Sequence, residues 1–505
     1  MAEPKRVRKV VVLGRDESLW LAVNTLERAF SKSDIEITAI ELPSLLRAGD
    51  VYPTLRAQEA FHSLMGLKED ALMRASQATF SLGQRFSNWA KTRPPFFHAY
   101  STYGAKFERV QFHHYWLKAR ANGLKAEFDD FSLSVAAAKH GRFFVPDEET
   151  DSFSNNDYAY HLGAIGYCQV LKQVALQRGV IHRTGRLAEA LRAENGDITG
   201  LLLNDGQVVE GDFFIDASGA ESLLLGQAMG VGLESWSQWF ACDRILTTYA
   251  PPLTPLPSFS QASAFRSGWL GLYPLRDRTA VQQVYASVDM GEQEAFDTAG
   301  IVSALKLHGD AVVTPYSAGC RTQFWAGNCL AVGEAAVVFD PIDNVRLHAN
   351  LVGMSHLISL FPIDSDMALE RDEYNRNVTA AVERIRDFQI CRYKLNQRFD
   401  QPIWDHCRAM ILPDKLQYKL DVFEARGMLI AYDDETFEDP EWIAMLIGHG
   451  LMPKTYDPLV DQVNEAEVIR RFQQMLGFIR HSVEKMRPME QHLGLSPAAG
   501  MSAQG

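Results

Sequence analysis

Residues 11–20 read VVLGRDESLW. A run of β-branched residues climbs to Gly14, and a helical pattern starts at once. Leu19, Ala22, Val23, Leu26 and Phe30 fall on one face of a helix predicted over 17–31. IEITAIE, residues 35–41, supplies a second strand that ends at Glu41. Strand, tight turn, helix and strand make a βαβ unit. Such a turn cradles a diphosphate when glycines serve the bend, the close approach of backbone, and helix–strand packing. Here those three positions are Gly14, Asp16 and Leu19. The shape of the cradle is predicted; its chemistry is in question.

The rest of the chain sets bounds on the answer. It has 505 residues, 47% hydrophobic and 22% charged, with a formal charge of -13. That excess of acid argues against nucleic-acid or anionic-membrane partners, which need a basic surface. No run of about 18 apolar residues exists to span a bilayer. The opening MAEPKRVRKVVVLG reads as a charged lead-in to the first strand, not as a signal peptide. Six cysteines without a CxxC or zinc spacing point to free thiols, no metal and a cytoplasmic location.

Further along, 59–91 reads as mostly helical and 161–179 as an amphipathic helix. Short strands follow around 190–194, in ITGLLLNDG, and in VVEGDFFIDASG up to Gly219. Residues 236–290 predict a β layer, and NCLAVG (328–333) one more buried strand. From about 364 the chain is helical. The SPAAGMSAQG end, from Ser496, predicts fraying.

Three pieces in this order, VVLG…LW, DFFIDASG and NCLAVGEAA, resemble FAD-dependent monooxygenases. Closer similarity is to one branch, the flavin-dependent tryptophan halogenases. It lies in Trp20, FHSLMGL (61–67), QATFSLGQRFSNW (77–89), GWLGLYPL (268–275), DPID (340–343), IWDHCRAMILPDKL (403–416) and WIAMLIGHGLMP (442–453). The resemblance runs from about residue 7 to 460. It implies an α/β, FAD-monooxygenase-like fold: a Rossmann-type βαβ core over 1–360 with a β layer inserted near 236–290. A helical substrate-side cap would follow over 361–490 and a flexible tail over 491–505. It also implies a flavin that, reduced and then oxidised by O₂, makes hypohalous acid. The acid travels down a tunnel to a lysine that presents halogen to an indole ring.

Against that pattern the working parts are altered. Asp16 replaces the second cradle glycine. Two readings stay open: a cap on the following helix, or a charge opposing a diphosphate. At about 4 Å that repulsion is roughly 4 kcal/mol at an effective dielectric near 20, about a thousandfold in affinity. Arg15 is a candidate to offset it, and Glu41 stands where a ribose-binding acid would. The flavin strap reduces to AGDVYPTL (48–55), with Gly49 as its one glycine and Tyr52 and Pro53 adding bulk. In the family, Gly333–Glu334 reads Gly-Asp and contacts the ribityl chain.

Ser81 occupies the position of the reactive lysine, a neutral hydroxyl with no base in view. Asp343 aligns with the catalytic glutamate, either as acid/base or as a helix N-cap. Just after it, Arg346 is a candidate to replace the halide or bind another anion. In the barrier between flavin and tunnel, Trp269 is kept and the second tryptophan is Gly271. A wider passage, or Tyr273 swung into the gap, follows. Trp442 and His113 are candidates to face a bound indole. The His113–His114 pair, read on a strand, points to opposite faces and argues against a metal.

The expectation from these losses is a halogenase-like protein binding a tryptophan, indole or peptide aromatic, with FAD or reduced FAD held weakly and little flavin catalysis. The alternative is a divergent FAD-dependent monooxygenase or halogenase acting on an indole-like ring, with Asp343 as acid/base. Expected partners are an aromatic small molecule or Trp-containing peptide, a second copy or a paralogue, and a flavin reductase.

Overall fold

The computed structural model describes residues 5–495 apart from 91, 106 and 108. The frayed end expected from Ser496 lies outside the described residues. Contacts gather into two units that interleave along the chain. One takes the chain through Ala78, Leu162–Phe240 and Tyr316–Arg386; the other takes Thr79–His161, Ala241–Pro315 and the chain from Asp387 onward.

The first unit is built on the opening motif. Strand β1 (Lys9–Gly14) pairs in parallel with β2 (Glu36–Glu41) and with the strand Phe213–Ala217. Cys329–Ala331 and Ile181–Thr184 extend this sheet in parallel, and Trp325–Ala326 closes it antiparallel, making six strands. Parallel strands covered on both faces are apolar throughout, and β1 is buried from Val10 to Gly14. Helix α1 (Asp16–Phe30) follows the first turn directly. Gly14 is required by the sheet itself: a Cβ there would lie 2.4 Å from the carbonyl oxygen of Ala217.

The second unit is built on a seven-stranded sheet. Its strands Arg244–Ala250, Ser260–Phe265, Gly268–Pro274 and Thr279–Tyr285 are the β layer predicted near 236–290. Three strands come from elsewhere, Gly83–Ser87, Phe96–Ala99 and Val312–Pro315. The helix expected over 59–91 therefore ends early. Helices cover Gln58–Leu64 and Glu69–Ala75, and the chain then turns into strands at Thr79–Ser81 and Gly83–Ser87. Thr79 and Ser81 are buried in a separate three-stranded sheet, where they pair with 159–161, and Phe86 is buried in the seven-stranded one; tertiary pairing decides against the local helical pattern.

The helix read from 161 begins at Ala164, because Ala159–Gly163 forms a strand. His113 and His114 lie on a helix, Phe112–Ala121, not a strand, and their rings sit 4.0 Å apart between centroids. The ground given for opposite faces is thus corrected. Among the described residues no group of three metal-ligating side chains gathers, and no helix is long and apolar enough to cross a membrane. Helices take up most of 361–490, whose first part, through Arg386, belongs to the first unit. The proposed tail begins inside a short helix, Met489–His492.

Candidate active site

The first turn of α1 decides how a diphosphate is received. Asp16 has φ +54°, the left-handed conformation a glycine adopts freely. The backbone bend of the missing glycine is therefore kept. That bend swings the carboxylate away from the helix. Its Oδ2 accepts from the amide of Leu45 at 3.3 Å, in the loop after β2. Arg15, not Asp16, occupies the N-cap position, and no side chain caps the helix. The N-cap reading of Asp16 is corrected, and the first-turn amides keep the orientation that receives an anion. Arg15 is turned to Glu221, 3.0 Å from its carboxylate.

Beyond the turn lies an ion network. Glu17 is 2% exposed. Tyr52 of the strap donates its hydroxyl to Glu17 Oε2, and Arg346 Nε donates to Glu17 Oε1 at 2.6 Å. The same guanidinium lies 3.0 Å from Glu334 Oε1 and over the Tyr52 ring. Arg346 is thus committed to two carboxylates, which corrects its reading as a substitute halide. Burial pushes the carboxyl groups of Asp16, Asp50 and Glu334 above their ordinary range, and each is raised further by neighbouring acids. Gly49 is buried in the turn that opens this strap. Glu17 could not be picked out from local pattern, because its partner Arg346 is 329 positions away.

Two further residues read from the motifs lie in the same unit. Glu41, at the end of β2, holds Lys172 Nζ at 2.6 Å and His182 Nε2 at 2.8 Å through one oxygen. It borders a cavity of about 420 Å³ with Ser44, Thr184, Gly185 and Asn204. Gly333 has φ +60°, and a Cβ there would fall 2.2 Å from Ser18 Oγ beside the first turn. Asp343 is 2% exposed and closes a short turn, Pro341–Asp343. The next helix starts at Arg346 behind Val345, so Asp343 does not cap it, and that reading is corrected.

In the second unit the strand Gly268–Pro274, expected from the resemblance to form a barrier, is buried throughout. Trp269 is fully buried and donates its indole N–H to Tyr393 Oη at 2.9 Å. The ring of Tyr273 fills the space beside Gly271, within 2.7 Å of where a Cβ would stand. Ser81 is buried, its hydroxyl donating to the Gly83 carbonyl at 3.0 Å, which suits no nucleophile.

A cavity of about 630 Å³ is lined by Tyr103, Phe112, His113, Phe128 and Phe437, with Glu438 and Asp439. His113 is among its walls, neutral because burial pushes its pKa down to about 3, with Nε2 at 2.7 Å from the Gly427 carbonyl. Trp442 is not. Its ring packs edge-on against Phe388 and under Lys419, and its N–H is held by Glu435 at 2.8 Å. An indole-facing role for Trp442 is corrected accordingly.

A parallel βαβ core with a glycine-lined first turn, joined in sequence to an antiparallel β layer, defines a flavin-monooxygenase-like protein. The family model for tryptophan halogenases matches residues 9–465, and the chain belongs to that family. It is 25% identical over 501 residues to tryptophan 7-halogenase RebH of Lentzea aerocolonigenes, covering 91% of this chain and 93% of the relative. Among solved structures, BrvH, a flavin-dependent halogenase from Brevundimonas sp. BAL3, superposes with a TM-score of 0.92 at 32% identity, over 97% of this chain and 99% of the other. Xcc4156, a flavin-dependent halogenase from Xanthomonas campestris, gives 0.93 at 29%, over 98% and 100%. These whole-chain matches overturn the expectation of a binding protein that has lost flavin chemistry. The Asp16 carboxylate, engaged by the Leu45 amide, weakens the electrostatic ground for it.

Proposed function

We propose that this chain is an FAD-dependent halogenase or monooxygenase that oxidises an aromatic, indole-like substrate, with Asp343 as the acid/base group. The observation that carries this reading is the match over nearly the whole chain to two flavin-dependent halogenases. The backbone of the first turn supports it, since it retains the bend a diphosphate needs.

The α1 amides, Gly14 and the residue-16 backbone would hold the diphosphate of FAD. Glu41 would meet its ribose, and Gly333 would let backbone approach the chain beyond it. When bound, the reduced flavin supplies the electrons that activate dioxygen. The helix dipole favours the diphosphate. Asp16, Glu17, Asp50 and Glu334 oppose it with Arg346 as their shared counter-charge. The balance is weak retention, which suits a flavin delivered already reduced by a reductase partner. Asp343, a buried carboxylate, takes the proton the ring carbon loses. A second copy of the chain, or a paralogue, is the expected assembly partner.

Anaerobic titration with reduced FAD, followed by flavin absorbance and fluorescence, tests the cofactor. Saturable binding is expected; a featureless titration to millimolar flavin defeats the proposal. With indole, halide and O₂ present, mass spectrometry reads the product. Asp343→Asn is expected to slow product formation by about 10²-fold while flavin still binds.

A further inference from the structure

The walls of the 630 Å³ cavity carry charge of one sign. Its volume falls within the roughly 300–1,000 Å³ of small-molecule sites. Six aromatic side chains line it, Tyr103, Phe112, Phe128, Phe153, Tyr432 and Phe437. Four acids join them, Asp151, Glu435, Glu438 and Asp439, and among the described residues no lysine or arginine does. All of these residues belong to the second unit. Glu435 is already paired with Lys419 and accepts the Trp442 indole N–H. Glu438 turns its carboxylate back onto the first turn of the helix Asp439–His449. The other two acids are met by neutral groups. Asp439 Oδ2 accepts from the Gln111 side-chain amide at 3.1 Å. Asp151 Oδ1 accepts from the backbone and side-chain amides of Asn156 at 3.0 and 2.8 Å. Amides orient these carboxylates without cancelling their charge, and among the described residues neither has a cation. The helix dipole accounts for Asp439 at a helix start; it does nothing for Asp151, which lies in a separate loop.

Proton donors for an anionic ligand are scarce by comparison. Tyr103 spends its hydroxyl proton on the Phe97 carbonyl, and Tyr432 spends its own on that of Lys415. His113 adds an acceptor. It is 3% exposed, and its Nε2 lies against the Gly427 carbonyl, which can only accept, so Nε2 carries the ring proton. Burial keeps the imidazole neutral, with its pKa pushed down to about 3. Nδ1 is then a lone pair on a cavity wall, and no donor among the described residues reaches it. Buried acceptors are nearly always satisfied, so an exception asks for an occupant that brings its own N–H.

We propose that this cavity binds an arylalkylamine, an aromatic ring carrying a protonated amine and no free carboxylate. The flat ring packs among the aromatic walls. The ammonium is drawn to Asp151 and Asp439 and to the negative faces of the rings around it. An N–H of the ligand fills the lone pair on Nδ1 of His113. A carboxylate on the same ligand would meet uncompensated acids and no wall cation among the described residues. This goes beyond the halogenase reading and holds without it, since binding alone is at issue.

Full-length protein without added flavin is titrated by calorimetry with tryptamine, indole and indole-3-propionate, which share a ring and differ in charge. Tryptamine is expected to bind about tenfold more tightly than indole, and indole-3-propionate no better than indole. In the double variant Asp151→Asn, Asp439→Asn, tryptamine and indole are expected to bind alike. Wild-type protein that binds tryptamine no tighter than indole overturns the proposal. So does a preference that survives in the double variant, because the ammonium is then held elsewhere. Should the double variant not fold, the ¹⁵N resonance of His113 Nδ1 in wild-type protein decides. Added tryptamine is expected to move it, and an unmoved resonance overturns the proposal. A featureless titration with reduced FAD would defeat the halogenase reading and leave this result standing, so the two fail separately.

Discussion

At the scale of single residues, Asp16 shows how a backbone position outlives its side chain. Its φ of +54° costs an L-residue roughly 1 kcal/mol, less for Asp than for most. Its hydrogen bond to the Leu45 amide offsets part of that. Asp16→Gly is therefore expected to leave stability nearly unchanged. It should tighten reduced FAD by about tenfold, roughly 1.4 kcal/mol, read by flavin fluorescence anisotropy. The full thousandfold expected from a carboxylate aimed at the diphosphate does not apply, because this one is aimed elsewhere. Arg346 and Glu17 behave differently. Arg346→Met strips a 2% exposed carboxylate of its cation, leaving only the Tyr52 hydroxyl. Because the guanidinium side chain is 46% exposed, the loss falls below that of a fully buried pair, about 2 kcal/mol in urea unfolding.

At the scale of elements, the 3₁₀ turn Phe128–Phe131 holds an edge strand. Asp129 Oδ2 accepts the amide of Phe97, in the strand Phe96–Ala99. Burial raises its pKa from 3.8 to about 7. Between those values the folded state keeps a proton that the unfolded chain releases, so this group's contribution to stability declines as pH rises through that window. Asp129→Asn removes the dependence. Subtracting variant from wild-type melting temperatures across pH 4–7 is expected to leave a difference that grows with pH in the variant's favour.

Elements also show what could be read in advance. β1, α1 and β2 were legible because local periodicity and burial agree there. The strands at Thr79–Ser81 and Gly83–Ser87 were not, since each has a remote partner: Thr79–Ser81 pairs with 159–161, and Gly83–Ser87 with Ser260–Phe265 besides the nearby Phe96–Ala99. The cradle could be located from its glycines. The direction of the Asp16 carboxylate and the Glu17–Arg346 pair could not, because each depends on where a distant segment returns.

At the scale of the molecule, the division near residue 360 suggested by the order of motifs cuts both units. The first still lacks 361–386 at that point, and the second lacks everything from Asp387. A fragment spanning 1–360 is expected to lack fixed tertiary packing, with weak near-UV circular dichroism and aggregation on gel filtration. A sharp cooperative melt from that fragment would contradict the interleaving.

The Tyr273 ring lying over Gly271 couples the two positions. A side chain added at 271 would meet the ring edge and hydroxyl of its neighbour two positions on, so the tyrosine ring has to move before anything larger than glycine fits there. A bulky residue at 271 and a small one at 273 are therefore expected to be tolerated together better than the bulky residue alone, a non-additivity that a double-mutant cycle in urea unfolding reads.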